Sequence, residues 1–559
     1  MLAVLFLFGM AVLAGGYLVY GRILDRKLEV TGEHPVPSET MCDGVDYVPA
    51  RTPVLFGHHF SSIAGAGPIV GPVIAAMAFG WLPAFAWILL GTILIGGVHD
   101  YASLVASIRS RGRSIAEVAR WIISPAAQKI LLAFIWLALV YVLVVFLDLT
   151  ATTFKASGEV ATSSILFIAL AILFGLGIYR LRLPVWLGSL IFVPLVFAGI
   201  FVGRALPLPP TSLPAIAGDP GKSWALILVV YCYVASVTPV WVLLQPRDYL
   251  ASFLLYATVL ASAVGLLFGG FAISFPPFLS FQSNIGPLFP ILFVTIACGA
   301  ISGFHSVIAA GTTAKQLARE QDAKLVGYGA MATEGVVSLI ALATVIMLTA
   351  GSDAVAAYRA NELSAIGVFA RGMGRFTEVF GIPAEIGRTF GALAISTFLL
   401  TTLDTCTRLG RFLFHEFFGI EQVRGRFLST LATLALPALF VLLTFRDAAG
   451  HIVPAWKAIW PVFGATNQLL AALALLVVTL WLRAKGKRAL FVAIPAAFML
   501  IITLSSLVYI VAGGGQNRPV EVIAVALFVL AIVVVAMSLR AARRDLARSG
   551  RVLDDAECS

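Results

Sequence analysis

The sequence predicts an all-α polytopic membrane protein with about 15 transmembrane helices. Of its 559 residues, 60% are hydrophobic and only 12% are charged, and the mean hydropathy is +0.98. Soluble globular domains carry roughly 25% charged residues. Apolar runs of about 20 residues, long enough to cross a hydrocarbon core of about 30 Å, recur from Met1 to Leu539. We therefore expect a bundle of spanning helices without a separate soluble domain between them.

The position of each span follows from the apolar runs and from the polar connections between them. The expected spans are, roughly, residues 1–20, 58–79, 82–108, 130–149, 162–179, 183–203, 224–245, 249–273, 290–311, 325–349, 388–407, 427–445, 458–482, 489–511 and 519–539.

The basic residues predict the orientation of the bundle. The net charge is +10, and 28 of the 38 Lys and Arg residues fall in every second connection, including Arg22 to Arg51, Arg109 to Lys129 and Lys315 to Lys324. Cytoplasmic loops of membrane proteins carry such an excess of Lys and Arg. We therefore expect the N-terminus outside and the C-terminus in the cytoplasm, and no nucleic-acid partner.

Several enzyme and cofactor classes lack their sequence motifs. The five cysteines form no CxxC pair, which argues against a zinc site or a disulfide framework. No GxxxxGK[ST] stretch is present, so ATP is not expected to power the protein, and no HExxH or intramembrane GxSxG suggests a protease. We expect neither an enzyme nor a cofactor or metal site.

One span contains an unusual cluster of glycine and proline. The stretch "FGHHFSSIAGAGPIVGP" covers residues 56–72. Pro68 and Pro72 each lack an N–H and press on the preceding turn, so the helical ladder is expected to break at residues 64–68. Freed peptide groups cannot face lipid, where each costs several kcal/mol. They are expected to line a cavity or to meet a ligand.

A second interruption is expected five spans later, near the middle of "YCYVASVTPVWVLLQP" (residues 231–246), at Ser236, Thr238 and Pro239. Two spans that are an odd number of spans apart cross the membrane in opposite directions. The pattern therefore predicts a five-plus-five inverted repeat whose two broken helices meet at a binding site in the bilayer midplane. A rival partner for the first break is "GFHSVIAAGT" (residues 303–312), seven spans later, and topology alone does not decide between them.

These repeats divide the chain into three parts. Residues 1–57 form an extra helix and a loop, residues 58–407 form the core with repeats at 58–203 and 224–407, and residues 408–559 form accessory helices and a basic tail. The residues expected to bind a solute at the breaks are Ser61, Ser62, Gly65, Ala66, Gly67, Pro68, Ser236 and Thr238.

Ionisable residues within spans are costly, and each is a functional hypothesis by default. Those expected to form a proton relay are His58, His59, His99, Asp100, His305, Glu334 and Asp404. Their spacing does not show that they converge, because they lie on different helices. Structural alternatives remain: Asp404 and Arg408 can form an i, i+4 pair, and His58 and His59 can be interfacial.

Two further features are expected to be structural. An amphipathic helix with apolar residues at Leu363, Ile366, Phe369 and Met373 is expected on the outer surface, where it can act as a gate lid. Trp456 and Trp460 are typical of an outer aromatic belt.

Several stretches together resemble the carbon starvation protein A family of bacterial inner-membrane transporters. They are "GHHFSSIAGAGPIVGPVIAA", "GGVHDYASL", "LLQPRDYL", "CGAISGFHSVIAAGTTAKQL", "TTLDTCTRLGRF" and "FGATNQLLAALAL". The resemblance implies uptake of short peptides or pyruvate under carbon starvation, with proton symport, on a fold related to the amino acid–polyamine–organocation (LeuT-like) superfamily. Carried onto this chain, the family motifs mark residues 57–71, His99 with Asp100, and the ranges 245–248, 303–315 and 402–408.

The expected function is a secondary transporter in the bacterial inner membrane that works by alternating access. Its partners are a small solute and the lipid bilayer, and the oligomeric state is not indicated. The positive end of a half-helix at the first break suits a carboxylate, which pyruvate and a peptide C-terminus both possess. Protons are the expected driving ion. Sodium is the alternative, through Ser61, Ser62, Thr312 and Thr313, and a channel or a starvation sensor without net transport are alternatives from other classes.

Overall fold

The structure is a computed structural model that describes residues 1–42, 47–209, 212–216, 218–239, 242–419, 422–446, 452–513 and 518–547. The described chain is almost entirely helical. In chain order the helices are α1 (Leu2–Gly15), α2 (Gly21–Leu28), α3 (Pro37–Thr40), α4 (Thr52–Ile63), α5 (Gly67–Phe79), α6 (Trp81–Gly91), α7 (Gly97–Ile108), α8 (Ile115–Ile122), α9 (Pro125–Ala156), α10 (Gly158–Tyr179), α11 (Val185–Ala205), α12 (Pro220–Val237), α13 (Leu244–Phe268), α14 (Leu288–Thr295), α15 (Ala297–Ala300), α16 (Phe304–Gly311), α17 (Ala330–Ile346), α18 (Asp353–Arg359), α19 (Ala365–Glu378), α20 (Ala384–Phe418), α21 (Gln422–Leu442), α22 (Ala455–Ala484), α23 (Leu490–Ala512) and α24 (Arg518–Ala547).

Strands are confined to two short antiparallel hairpins in the connections. Strands β1 (Gln282–Ser283) and β2 (Gly286–Pro287) pair directly before α14, and β3 (Phe445–Arg446) and β4 (Ile452–Val453) pair before α22. No sheet or barrel forms in the described residues.

Thirteen helical segments are long and apolar enough to cross a membrane, and a bent pair can supply a fourteenth span. The thirteen are Leu2–Leu28, Trp81–Ile108, Pro125–Ala156, Gly158–Tyr179, Val185–Ala205, Pro220–Val237, Leu244–Phe268, Glu320–Ile346, Ala384–Phe418, Gly425–Leu442, Ala455–Ala484, Leu490–Ala512 and Val520–Arg543. The predicted all-α membrane fold is confirmed. The expected number of 15 differs because the span predicted at 290–311 is divided into α14, α15 and α16.

Burial separates central from peripheral spans. In the most apolar window of each span, 94% of α22, 89% of α20 and 78% of α9 is buried inside the protein, against 22% for the first span and for α11. Peripheral helices leave apolar side chains for lipid, whereas the central ones meet protein on every side. Helices α9, α20 and α22, together with α17, whose span is 83% buried, therefore form the buried centre of the bundle.

Three π-helical segments lie in contact at one level of the bundle. They are Gly16–Tyr20, Thr92–Gly96 and Lys324–Gly329. The Tyr328 hydroxyl donates to the Ile93 carbonyl at 3.0 Å, and the rings of Tyr17 and Tyr328 lie 6.0 Å apart. π-Segments are frequent at functional sites, and two of these three directly precede α7 and α17.

Ion pairs link connections that the basic residues place on the same side. On the predicted cytoplasmic side, Arg109 donates to Glu320 at 2.7 Å. Lys487 donates to Glu29 at 2.6 Å, and this ammonium lowers the pKa of Glu29. The two-sided grouping of the connections agrees with the prediction.

The opposite group of connections is held together in the same way. On the predicted outer side, Lys155 donates to Asp219 at 2.8 Å and Arg204 donates to Glu385 at 2.9 Å. Both pairs join loops that the sequence places outside.

Two expectations about surface elements need correction. The amphipathic helix exists as α19, but its apolar face is buried against α13, α17 and α20, so it is packed into the bundle rather than lying on the surface. The prediction of an outer belt at Trp456 and Trp460 is wrong, because both side chains are about 5% exposed and pack against each other in the core.

Candidate functional site

The Gly/Pro stretch interrupts its span near the middle. Helix α4 ends at Ile63, α5 begins at Gly67, and the two are bent by 46°. Ala64 leaves the helical region with ψ at 69°, and Pro68 has no N–H with which to continue the ladder. The break predicted at residues 64–68 is confirmed. It lies deeper in the span than expected, because α4 starts at Thr52 rather than at His58.

The peptide groups at this break are only partly paired. The Ala66 carbonyl accepts from the amides of Ile69 at 3.1 Å and Val70 at 2.8 Å. The Ala66 amide makes no hydrogen bond to a described residue. First-turn amides carry the partial positive charge of a helix N-terminus. The start of α5 therefore offers a neutral donor of the kind that suits an anion.

Neither predicted hydroxyl near the break lies at the wall of the adjoining cavity. Ser61 and Ser62 both donate to the His58 carbonyl, at 3.1 and 2.8 Å. Both side chains are buried within the bundle. These contacts stabilise the last turn of α4, and the structure gives no direct contact of either residue with the cavity.

A second interruption lies between α15 and α16, and it is held by one side chain of α22. The Asn467 Oδ1 accepts from the Phe304 amide at 3.1 Å, and its Nδ2 donates to the Ser302 hydroxyl at 3.0 Å and to Cys298 Sγ at 3.2 Å. The backbone carbonyl of Asn467 also accepts from the Gly303 amide at 3.2 Å. Asn467 thus replaces the helical partners that this segment has lost.

The first break touches the segment that precedes the second one. A Cβ atom on Gly67 would collide with the Cys298 side chain, and one on Gly71 would lie 2.5 Å from the Thr295 carbonyl oxygen. Only glycine permits this approach. The first break therefore pairs with the segment at residues 288–311, which overlaps the alternative stretch predicted at residues 303–312.

Between the interruptions lies a cavity with about 300 Å³ of empty space, including its mouth. It carries no charged side chain: its lining residues are Ile63, Gly65, Gly67, Pro68, Val142, Phe146, Cys298, Ser302, Phe304, Thr402, Phe463 and Asn467. Three residues predicted from the Gly/Pro stretch, Gly65, Gly67 and Pro68, line it. Ala66 lies between them in the chain without being part of the wall.

Four of the predicted relay residues converge from three spans. The Asp100 carboxylate accepts from His99 Nδ1 at 2.7 Å and from His305 Nδ1 at 2.7 Å. His305 Nε2 lies 3.2 Å from Glu334 Oε2. All four side chains are at most 1% exposed. His305 is therefore a bridge between two buried carboxylates.

The contact between His305 and Glu334 requires a proton. His305 donates its Nδ1–H to Asp100, so in the neutral imidazole Nε2 carries a lone pair facing the carboxylate. Two acceptors at 3.2 Å repel each other unless His305 is an imidazolium or Glu334 is protonated. The pair therefore holds at least one proton, on His305 or on Glu334, and it can take up a second.

The two histidines of α4 differ in their surroundings. His59 is buried, its Nδ1 lies 2.8 Å from the Thr313 hydroxyl, and it is close enough to Asp100 and His305 to interact electrostatically. No side-chain hydrogen bond joins His58 to Asp100, His305 or Glu334, and its backbone carbonyl accepts from the hydroxyls of Ser61 and Ser62.

Asp404 belongs to a separate cluster. Its carboxylate accepts from the Tyr231 hydroxyl at 2.9 Å and from Arg247, which also donates to Asp248 at 3.4 Å. The structural alternative, an i, i+4 ion pair with Arg408, does not form. The structure therefore does not bring Asp404 into the His305 cluster.

The interruption expected near the middle of the span at 224–245 is wrong. Helix α12 is continuous to Val237, and Thr238 follows its end. Arg408 donates to the Thr238 carbonyl at 3.0 Å, and Arg411 donates to the Ser236 carbonyl at 2.6 Å. Ser236 and Thr238 therefore lie at an arginine-capped helix end, away from the cavity wall.

Sequence reasoning missed Asn467 and Arg247 as individual site residues. Asn467 lies in "FGATNQLLAALAL", where two amide side chains interrupt an apolar run, and this was the available signal. Arg247 is a fully buried cation at a predicted span end, which made it look like a loop residue.

The described residues contain no group of three or more His, Cys, Asp and Glu side chains suited to a metal ion. Cys298 and His305 do not form a nucleophile–base pair, because they face different partners: the thiol accepts from Asn467 and the imidazole faces two carboxylates.

The chain is similar to known membrane transporters. The family model described as carbon starvation protein CstA matches residues 1–365 and 352–506. A peptide transporter CstA from Mycobacterium tuberculosis is 32% identical over 88% of this chain and 73% of its own, and one from Escherichia coli is 32% identical over 88% and 78%. The pyruvate/proton symporter BtsT of Escherichia coli is 32% identical over 86% and 77%. A solved manganese transporter mutant from Eremococcus coleocola covers 88% of this chain and 94% of its own at 12% identity with a TM-score of 0.43.

Proposed function

The chain belongs to the carbon starvation protein CstA family, and from that premise we propose that it imports a small monocarboxylate such as pyruvate together with a proton. It is a multi-pass membrane transporter, and the inner bacterial membrane with the N-terminus outside is the proposed location. Transport proceeds by alternating access of the cavity between the two interrupted helices.

The observation that supports proton coupling is that the His305 imidazole lies between two buried carboxylates. When His305 is an imidazolium and both carboxylates are ionised, the group of Asp100, His305 and Glu334 has one excess negative charge. One further proton neutralises it. In a site without water, the group with a net negative charge has a much higher free energy than the neutral group. The conformational state of the protein is therefore expected to depend on whether this proton is present.

The group is positioned to respond to the cavity. Phe304 lines the cavity, and His305 is the next residue on α16. Glu334 lies on α17, which packs directly on α5 of the first break. A movement of either half-helix that accompanies solute binding therefore changes the distances on which the proton depends.

The cavity chemistry supports a small monocarboxylate rather than a peptide. Its wall offers the neutral side-chain amide of Asn467 as a donor and includes Gly67 and Pro68 at the N-terminus of α5, where a carboxylate is favoured. It offers no carboxylate for the α-ammonium group of a peptide, and a buried unpaired ammonium is costly.

Sodium coupling is the alternative that the test must separate. Thr312 donates to the Ile308 carbonyl, as Ser61 and Ser62 do to His58. A hydroxyl that donates its proton in this way keeps lone pairs for a cation, so these oxygens remain compatible with Na⁺.

Uptake into proteoliposomes tests the proposal. Labelled pyruvate and a labelled dipeptide are compared under an imposed inward pH gradient and, separately, an inward sodium gradient. The expected result is saturable accumulation of pyruvate above equilibrium with the pH gradient alone. Accumulation driven only by sodium contradicts proton coupling, accumulation of the dipeptide alone contradicts the substrate class, and non-saturable equilibration indicates a channel.

A further inference from the structure

Asn467 joins the cavity to the interrupted segment on which His305 lies. Its side chain lines the cavity and makes hydrogen bonds to Cys298, Ser302 and the Phe304 amide. It projects from α22, an unbroken helix whose most apolar window is 94% buried. The segment that it holds has no continuous helical hydrogen-bond ladder at residues 301–303.

The orientation of this amide is determined by its partners. The Phe304 amide is a donor only, so the atom 3.1 Å from it must be the Asn467 oxygen. The nitrogen therefore faces Ser302 and Cys298. The backbone at the break approaches α22 so closely that a Cβ atom on Gly303 would collide with the Asn467 carbonyl.

One of the two hydrogens on Asn467 Nδ2 makes only a weak hydrogen bond. It points to Cys298 Sγ at 3.2 Å, and a thiol sulfur is a weak acceptor. An ionised carboxylate is a much stronger acceptor, and hydrogen bonds to it are roughly twice as strong as neutral ones. Cys298 itself lines the cavity and contacts Gly67 of the first break. An anion in the cavity can therefore replace the sulfur as the partner of this hydrogen.

We propose that the Asn467 side-chain amide is a substrate-binding residue that exchanges its bond to Cys298 for one to the substrate carboxylate. The exchange frees Cys298 and alters the segment from Cys298 to His305, so it transmits occupancy of the cavity to the proton site. The choice of pyruvate as ligand rests on the proposed function, whereas the role of Asn467 rests on its own contacts.

Transport kinetics form the first part of the test. Asn467→Asp keeps an oxygen for the Phe304 amide, removes the donor and adds a negative charge. We expect this variant and Asn467→Ala to raise the KM for pyruvate about tenfold or more, which corresponds to about 1.4 kcal/mol. The matched control is Gln468→Met. Gln468 lies on the same helix and donates to the Phe293 carbonyl without lining the cavity. The KM of the Gln468→Met variant for pyruvate should therefore change less than about twofold.

A second readout does not depend on transport or on protons. In a variant that retains Cys298 as its single cysteine, reaction with a small methanethiosulfonate is followed in the purified protein. Pyruvate is expected to slow this reaction when residue 467 is the native asparagine. This protection of Cys298 is expected to be lost with Asn467→Asp but kept with Gln468→Met. A correctly folded Asn467→Asp protein with wild-type KM and wild-type protection overturns the inference.

The two proposals fail in different ways. If pyruvate protects Cys298 through Asn467 but a pH gradient drives no accumulation, the coupling is wrong and the role of Asn467 stands. If proton-driven uptake is found and both readouts are independent of Asn467, the inference is wrong and the function stands.

Discussion

At the scale of single residues, the sequence identified the ionisable groups of the proton site but not their contacts. His99, Asp100, His305 and Glu334 stand out because charged or basic side chains are rare in apolar runs. Whether they meet depends on the rotation of three helices about their own axes, and packing of distant residues decides that rotation. The same limit explains why Asp404 was grouped with them, although it pairs with Arg247.

Replacement of the bridging imidazole tests the proton site directly. The variant His305→Gln keeps a donor for one neighbouring carboxylate but removes the group that can carry a proton. We expect His305→Gln to reduce pH-driven accumulation of pyruvate about tenfold or more while leaving pyruvate exchange at equal pH largely intact. The comparison is uptake against exchange in the same proteoliposomes.

The matched control is His415→Gln, which changes a buried histidine of α20 outside the cluster. Equal losses in both variants, or unchanged accumulation with His305→Gln, contradict the assignment of His305.

The Arg247 cluster is expected to stabilise the bundle rather than to carry the transported proton. Removing one partner of a buried pair leaves an uncompensated charge and costs on the order of 3 kcal/mol. We therefore expect Asp404→Leu to lower the Tm of the purified protein substantially, and the double variant Arg247→Leu with Asp404→Leu to recover part of the loss. Thermal unfolding in detergent checks this, and a double variant less stable than Asp404→Leu alone argues against the pairing.

At the scale of elements, the first interrupted helix was predictable and the second was misplaced. Pro68 and Gly67 mark the first break because proline cannot continue the hydrogen-bond ladder. Pro239 does not mark a break, because it follows the end of α12 instead of interrupting a helix. The true second break, at residues 301–303, contains no proline, and Asn467 of a distant span stabilises it. Such long-range compensation has no local signal.

The contact between the two interrupted elements depends on Gly71. A methyl group there would lie 2.5 Å from the Thr295 carbonyl oxygen, which belongs to backbone and cannot rotate away. We expect Gly71→Ala to cost about 1–3 kcal/mol through overpacking and to lower pyruvate uptake, because the half-helices are pushed apart. The measurements are Tm and initial uptake rate.

The control for this change is Gly199→Ala in α11, where a Cβ atom meets nothing within 4 Å. It should leave both values unchanged or raise the Tm slightly, since alanine favours a helix over glycine. A Gly71→Ala protein with wild-type stability and uptake contradicts the close approach of the two breaks.

At the scale of the whole molecule, the sequence predicted the class of fold and the grouping of the connections. Composition and apolar run length suffice for the first, and the alternation of Lys and Arg suffices for the second. The ion pairs Arg109 with Glu320 and Lys155 with Asp219 join loops that were placed on the same side. The number of spans was harder to predict, because an interrupted span has the same average hydropathy as a continuous one. The five-plus-five repeat stays a prediction.

The orientation of the bundle can be measured at Cys42, an exposed cysteine in the connection predicted to be cytoplasmic. In a variant with this single cysteine, an impermeant maleimide is expected to label inside-out vesicles and not right-side-out vesicles. A cysteine introduced by Glu362→Cys, in the predicted outer connection, should show the opposite pattern. Reversed labelling of both sites contradicts the N-out topology.

The most direct measurement of the central claim is proton movement during substrate uptake. Proteoliposomes that enclose a pH-sensitive dye, with no initial ion gradient, receive an inward gradient of pyruvate under a clamped membrane potential. The account predicts that the lumen acidifies as pyruvate enters, and that Glu334→Gln abolishes the acidification while the protein remains folded. Pyruvate entry without acidification in the wild type, or undiminished acidification with Glu334→Gln, would contradict it.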